Sequence, residues 1–207
     1  MNEIPLSQLP EHVDEVLNIL ENGGVILYPT DTVAGLGTLA NSFKGLQRIQ
    51  AIKARPSEKP VSYIFRDEGM VEKYCILDRK ARLLIHHFLP GALTVVLPVR
   101  EDREIFGMNR QNRSVGVRMI EITGLDKLVK NLPQPLATTS ANLSGERTHN
   151  TYGEIPRSIL HAVDIAISWN CRLATRASTV IDLTGSDIKI LRKGSIKSSE
   201  IFTVLKS

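Results

Sequence analysis

An α/β fold, with helices packed against a twisted sheet of mixed strand direction, is predicted by three features of this sequence. Segments with apolar residues at helical spacing alternate with short runs rich in β-branched residues, the pattern of β-α-β units. Other strand-like runs follow one another closely, so some neighbouring strands must pair directly and the sheet is not regularly doubly wound. Hydrophobic residues make up 42% of the 207 positions and charged residues 23%, an ordinary globular balance that can fill one substantial core. Residues 1–207 are therefore expected to form a single domain. No repeat, low-complexity segment or linker divides them, and Pro133-Gln134-Pro135 reads as a rigid local bend.

Glu11 to Asn22 carries Val13, Val16, Leu17 and Leu20 at helical spacing, and Gly23-Gly24 stops that helix before a strand at Val25 to Tyr28. After a turn at Pro29, Asn41 or Ser42 can cap a second helix facing inward through Phe43, Leu46, Ile49 and Ile52. Lys53 and Arg55 sit at its C-terminal end, and Pro56 closes it. Val61 to Phe65 reads as a strand. Asp78 to Leu89 reads as a helix with Ala81, Leu84, Ile85 and Phe88 inward, and Pro90-Gly91 separates it from a strand at Leu93 to Leu97. Arg100 to Asn112 is the most polar stretch and reads as a loop. Short strands are expected at Ser114 to Arg118, Leu136 to Thr139, Asp164 to Ile167, Thr179 to Leu183 and Ile188 to Leu191. A helix from about Gly124 to Asn131 lies between the first two, and Ser198 to Leu205 forms a last one.

Four polar clusters accompany these elements. Thr30, Asp31, Thr32, Gly35 and Gly37 end an apolar run in hydroxyls and turn formers, with Lys53 and Arg55 following one helix later. Fixed hydroxyls and glycine-exposed amides suit a ligand with many acceptor oxygens, and the cations suit an anion. The same residue types also make an ordinary strand-to-helix loop. Thr138-Thr139-Ser140-Ala141-Asn142-Leu143-Ser144-Gly145 can cap a helix or hold phosphate and sugar oxygens. Arg176 to Asp182 and Leu191-Arg192-Lys193-Gly194 again place hydroxyls and cations at strand edges. No one cluster is specific, but their recurrence points to a shared hollow.

A net charge of +4 and a pI of about 9.1 permit nucleic-acid contact without requiring it. Arginines 100, 103, 110, 113 and 118 are interleaved with Glu101, Asp102 and Glu104, which suits a solvated loop of mixed sign. No apolar run approaches the ~20 residues of a bilayer span, and the N-terminus lacks a signal peptide, so a cytoplasmic protein without membrane partners is expected. Cys75 and Cys171 lack metal-ligand spacing and read as inert thiols; no protein-built metal site is expected.

Taken together, the clusters resemble the motifs of the Sua5/YciO/YrdC family. Pro29-Thr30-Asp31-Thr32-Val33-x-Gly35-Leu36-Gly37 matches P-T-E/D-T-x-Y-G-L-G, Lys53-x-Arg55-Pro56 matches K-x-R-P, and Leu89-Pro90-Gly91-Ala92-Leu93-Thr94 matches W-P-G-P-L-T. Ser114-Val115-Gly116-Val117-Arg118 resembles T/S-V-x-x-R, and Ser140-Ala141-Asn142-x-Ser144-Gly145 matches S-A-N-x-S-G. Ser178 to Asp182 matches S-T-V-V-D, and Leu191-Arg192-x-Gly194 matches L-R-x-G. The resemblance runs from about Glu15 to Ile196 and implies a YrdC-like sheet with an open concave site. Ala34 stands where the family usually has Tyr, and Val61 to Ile64 is not the commonest family version. The chain resembles the short, single-domain branch, without the C-terminal domain of the longer Sua5 branch.

Characterised members make threonylcarbamoyl-adenylate for modification of adenosine 37 in tRNA. The resemblance therefore implies a nucleotidyltransferase that joins L-threonine, bicarbonate or CO2, and ATP, releasing pyrophosphate. It implies Lys53 and Arg55 as catalytic cations; Thr30, Arg118, Ser140 and Ser178 as threonine-binding residues; and Ser57, Ser114, Asn142 and Arg192, with Lys53 and Arg55, as nucleotide-binding residues. Magnesium would arrive with ATP. Implied partners are tRNA or double-stranded RNA and a downstream threonylcarbamoyl transferase complex. A YciO-like divergent member, an RNA-binding module without adenylate chemistry, and an adenylating enzyme for another amine are the alternatives.

Overall fold

The computed structural model describes residues 2–54, 61–103, 105–174 and 176–206. In chain order its elements are β1 (Asn2–Pro5), α1 (Val13–Glu21), β2 (Ile26–Tyr28), β3 (Gly35–Leu39), α2 (Phe43–Ile52), β4 (Ser62–Ile64), α3 (Glu68–Tyr74), α4 (Arg79–Phe88) and β5 (Leu93–Pro98). Then come β6 (Ser114–Arg118), α5 (Asp126–Lys130), β7 (Leu136–Ser140), α6 (Arg157–Ala162), β8 (Ile165–Ser168), β9 (Thr179–Asp182), β10 (Lys189–Arg192) and α7 (Ser198–Lys206). The strands form one sheet in the order β1-β8-β2-β3-β7-β4-β6-β5-β9-β10. Four pairs are parallel (β1/β8, β2/β8, β4/β6, β5/β9) and the other five antiparallel, the expected mixture. Among the described residues no helix is long and apolar enough to cross a membrane.

The helices form where capping and apolar spacing coincide. Ser42 Oγ accepts the Gly45 amide at 3.0 Å and starts α2, which buries Leu46 and Ile49. Asp78 Oδ1 accepts the Ala81 amide at 2.7 Å and starts α4, which buries Ala81, Leu84 and Ile85. Arg48 on α2 reaches Asp164 at 2.6 Å, and the same carboxylate accepts the Val25 amide at 2.7 Å, tying helix, β2 and the entry to β8 together. Burial of Asp164, which alone would raise its pKa, is outweighed by these two donors, so its carboxyl lies below its ordinary value.

Four elements differ from expectation. β1 has only Ile4 buried, so its identity comes from pairing with the distant β8 rather than from its own pattern. α3 is seven residues long and contains Gly69, yet Asp67 Oδ1 caps it through the Met70 amide at 2.6 Å. α6 buries only Ile159. β3 occupies a stretch that reads as loop because Gly35 and Gly37 have low strand propensity. Those glycines are a packing requirement. A Cβ at Gly37 would stand 2.8 Å from Tyr28 Cε1 and 2.9 Å from Leu136 Cδ2, so only glycine lets the Tyr28 ring lie across β3. Phe43 also corrects expectation: it is 55% exposed and packs against Phe106 instead of the core, because the first turn of α2 lies at the edge of the buried surface.

Candidate active site

Residues directly opposite one another in a sheet project from the same face. Gly35 lies opposite Ser140, Gly37 opposite Thr138, Thr138 opposite Ser62, and Ser62 opposite Gly116. From β3 to β6 this face therefore carries only hydrogen atoms and small hydroxyls in that row. The consequence is a cavity of about 260 Å³ on the sheet, also walled by Thr30 and Thr32 of the β2–β3 loop, Arg118, Ser178 and Arg192. On the same face Tyr28, opposite Gly35, lays its ring over Gly35 and Gly37, and its Oη meets Thr138 Oγ1 at 2.5 Å; burial pushes the phenol well above its ordinary pKa, so it stays neutral.

The β2–β3 loop is held by its own hydroxyl. Thr30 Oγ1 accepts the amides of Thr32 and Val33, each at 3.1 Å, and donates to the Val33 carbonyl at 2.6 Å. Thr30 thus shapes the loop more than it offers a donor to the cavity. Next to it, Arg118 pairs with Asp31 through Nη2 and approaches Thr32 Oγ1 through Nη1 at 3.4 Å. Arg118 is 6% exposed, and its Nε and Asp31 Oδ2 are buried without a hydrogen-bond partner among the described residues. The pair keeps unused donor and acceptor capacity beside the cavity.

Arg192, at the end of β10, donates to the Ser178 carbonyl and to Ser178 Oγ, both at 3.0 Å, while Ser178 Oγ also meets Thr94 Oγ1 at 2.7 Å. Burial first, then the like charge of Arg118, pulls the Arg192 guanidinium below its ordinary pKa. The arrangement depends on a close backbone crossing. A Cβ at Gly194 would lie 2.3 Å from the Ala177 oxygen and the Ser178 carbonyl carbon. Gly194→Ala is therefore expected to destabilise the fold by about 1–3 kcal/mol and to separate Arg192 from Ser178. A urea midpoint and the loss of ligand-induced thermal stabilisation check it.

Lys53 is 3% exposed at the C-terminal end of α2. Its Nζ donates to the carbonyls of Ser140 (2.5 Å) and Asn142 (2.7 Å) and to Asn142 Oδ1 (3.2 Å). Ser140 Oγ donates to that Asn142 oxygen at 2.5 Å, and Asn142 Nδ2 holds the Leu143 and Glu146 carbonyls. Lysine, serine and asparagine thus form one unit, with Ser140 facing the cavity and the ammonium behind it. Arg55 and Ser57 lie outside the described residues. Ser114 opens β6 at the end opposite Arg118, donates to Asn112 Oδ1 at 2.6 Å, and is not among the cavity's lining residues.

Thr32 and Thr138 fall in the polar clusters with no individual role, while Ser62 and Thr148 as lining residues and Asp31 as the partner of Arg118 escape the sequence reading. Strand register is the signal that joins Ser62 to Thr138 and so to the site, and register requires knowing which strands pair. His86 and His87 lie at the end of α4, where His86 faces Glu68 at 3.2 Å and His87 packs on Phe88, away from the cavity. Cys75 is buried, which pushes its thiol up to about 12, and Cys171 is exposed. Among the described residues no group of three His, Cys, Asp or Glu side chains could hold a metal.

Comparison with known proteins agrees with this geometry. At 31% identity over 177 residues, 84% of this chain and 82% of the relative, it is similar to a Methanocaldococcus jannaschii protein named "Putative threonylcarbamoyl-AMP synthase". The crystal structure of P. abyssi Sua5 complexed with L-threonine matches 98% of this chain with a TM-score of 0.88 and 26% identity, although the match covers only 60% of the longer Sua5 chain. The crystal structure of E. coli YciO matches 95% of this chain and 96% of its own length, with a TM-score of 0.83 and 26% identity. The Sua5/YciO/YrdC family model, described as telomere recombination, matches residues 18–194. With that match spanning most of the sequence and the same fold in both solved structures, the chain belongs to the Sua5/YciO/YrdC family.

Proposed function

We propose that this protein is an L-threonylcarbamoyladenylate synthase. The observation that carries the reading is the cavity itself: small hydroxyls on the sheet, flanked by the buried guanidinium of Arg118 and the more exposed one of Arg192. Such a hollow favours a compact, oxygen-rich anion over an apolar ligand. The similarity to the Methanocaldococcus jannaschii protein and to the threonine-bound Sua5 structure supports threonine as the amine.

In the reaction, the threonine amine takes up bicarbonate, losing water, to give a carbamate. A carbamate oxygen then attacks the α-phosphorus of ATP, the bond to the β-phosphate breaks, and pyrophosphate leaves. Two unit charges of like sign at ~4 Å repel by about 4 kcal/mol at an effective dielectric of 20, so the cations of the site must offset that repulsion. Arg118 supplies its guanidinium charge to the amino-acid carboxylate, Ser178 and Ser140 orient the substrate, and Thr30 shapes the β2–β3 loop. Arg192 faces the phosphates, and Lys53 with Asn142 holds the end of β7 that borders the nucleotide side; Arg55 and Ser57 are proposed as further nucleotide contacts on the motif match alone. The described donor set contains no carboxylate cage, which suits a magnesium ion carried on the triphosphate, where it would screen phosphate charge. The labile mixed anhydride would pass to a transferase acting on adenosine 37 of tRNA, in the cytoplasm.

Pyrophosphate release that requires both L-threonine and bicarbonate is the expected result. Arg192→Ala should lower kcat/KM by roughly 100-fold, the effect of removing one preorganised donor. Release independent of the amino acid would overturn the reading. Ala34 on the cavity wall, where the family usually has Tyr, favours one second reading, adenylation of a different amine. A thermal-shift panel of amino acids with ATP separates the two, since a ligand at 100 times its Kd adds about 2.7 kcal/mol.

A further inference from the structure

Two buried hydroxyls that do not line the cavity each meet one that does. Thr94 on β5 and Tyr28 on β2 are both 1% exposed, and neither belongs to the cavity wall. Thr94 Oγ1 lies 2.7 Å from Ser178 Oγ, and Tyr28 Oη lies 2.5 Å from Thr138 Oγ1. Glycine makes room for both. A Cβ at Gly116 would stand 2.9 Å from Thr94 Cγ2, and one at Gly37 would stand 2.8 Å from Tyr28 Cε1. Bare backbone therefore seats the methyl and the ring and leaves each oxygen against its partner in the wall.

The direction of each hydrogen bond follows from what the buried protons can reach. Among the described residues, Ser178 Oγ is the one acceptor for the Thr94 proton and Thr138 Oγ1 the one acceptor for the Tyr28 proton. A buried proton without an acceptor is costly, so Thr94 and Tyr28 donate. Ser178 Oγ also accepts from Arg192 Nη2 at 3.0 Å, which occupies both of its lone pairs and leaves its own proton for the cavity. Thr138 likewise keeps its proton for the cavity. Ser140 is the opposite case: its proton goes to Asn142 Oδ1 at 2.5 Å, and it turns lone pairs outward. Three hydroxyls of one wall thus differ in kind, two giving a proton and one receiving.

We propose that Thr94 and Tyr28 are positioning residues that fix this polarity, so that the site selects a ligand with acceptor oxygens at Ser178 and Thr138 and an N–H or O–H at Ser140. An α-amino acid with a free carboxylate meets that pattern. The choice of L-threonine as probe rests on the proposed function. Titration calorimetry of the full chain with L-threonine and with L-threoninamide tests it. The amide puts an NH2 donor where a carboxylate oxygen stood, so the wild type should reject it. Thr94→Val keeps the shape but frees a Ser178 lone pair, and that hydroxyl can then turn to accept. L-threonine should bind about 2- to 10-fold more weakly, the range for one net hydrogen bond, while the preference for threonine over its amide falls by at least about 5-fold. Thr94→Ser should restore both. Tyr28→Phe keeps the ring on its glycines; it should weaken L-threonine binding in the wild type and have no further effect in a Thr138→Val background, and this cycle decides the matter should Thr94→Val fail to fold. A purely structural role would weaken both ligands alike and in either background. That outcome would overturn the proposal and leave the enzymatic reading intact, whereas a wild type that binds no L-threonine would overturn the reading and the ligand assignment with it.

Discussion

Arg118→Ala is expected to lower stability by about 3–5 kcal/mol, the cost of leaving one member of a buried ion pair without its partner, and to remove threonine-dependent turnover. Asp31 and Arg118 lie together under the β2–β3 loop with side chains 17% and 8% exposed, so little solvent is present to take over the orphaned carboxylate. The two effects can be separated. Asp31→Asn in the Arg118→Ala background removes the stranded charge and should recover part of the urea midpoint, yet it should not restore threonine binding, which needs the guanidinium. Recovery of both together, or an unchanged midpoint in Arg118→Ala, would show that the pair does not organise the site.

The second large effect is expected at Lys53. Lys53→Met keeps the apolar stem but removes the charged donor from the Asn142 carbonyl, and one of two donors each from the Ser140 carbonyl and Asn142 Oδ1. Hydrogen bonds to charged groups each contribute about 1.5–3 kcal/mol; because the released segment can relax, a net loss on the order of 3 kcal/mol is expected. The β7 end should then detach from α2, and stabilisation by ATP should fall with it. Urea unfolding combined with an ATP titration checks this. A variant that keeps its midpoint but loses ATP binding would give Lys53 a role on the nucleotide alone, and the staple would be dispensable.

Much of this was legible in the sequence, because caps and apolar spacing act locally. Ser42 and Asp78 announce α2 and α4, and the motif residues Thr30, Arg118, Ser140, Ser178 and Arg192 line one hollow although they are far apart in the chain. What escaped was non-local. β3 reads as loop until the Tyr28 ring above its glycines is known, and β1 has no identity without β8. Ser62 looks like an ordinary strand residue until pairing sets it beside Thr138. Nor could composition show that Lys53 turns toward carbonyls, or that the hydroxyl of Thr30 is engaged within its own turn.

That last detail bears on how a substrate is received. A segment whose amides are already satisfied by its own threonine has little left to organise when a molecule arrives. Capture then forfeits little chain freedom, and more of each new contact survives as affinity. The entrance behaves as a fixed socket, and discrimination among amino acids must come from the shape and chemistry of its walls rather than from a rearrangement that only one guest can trigger.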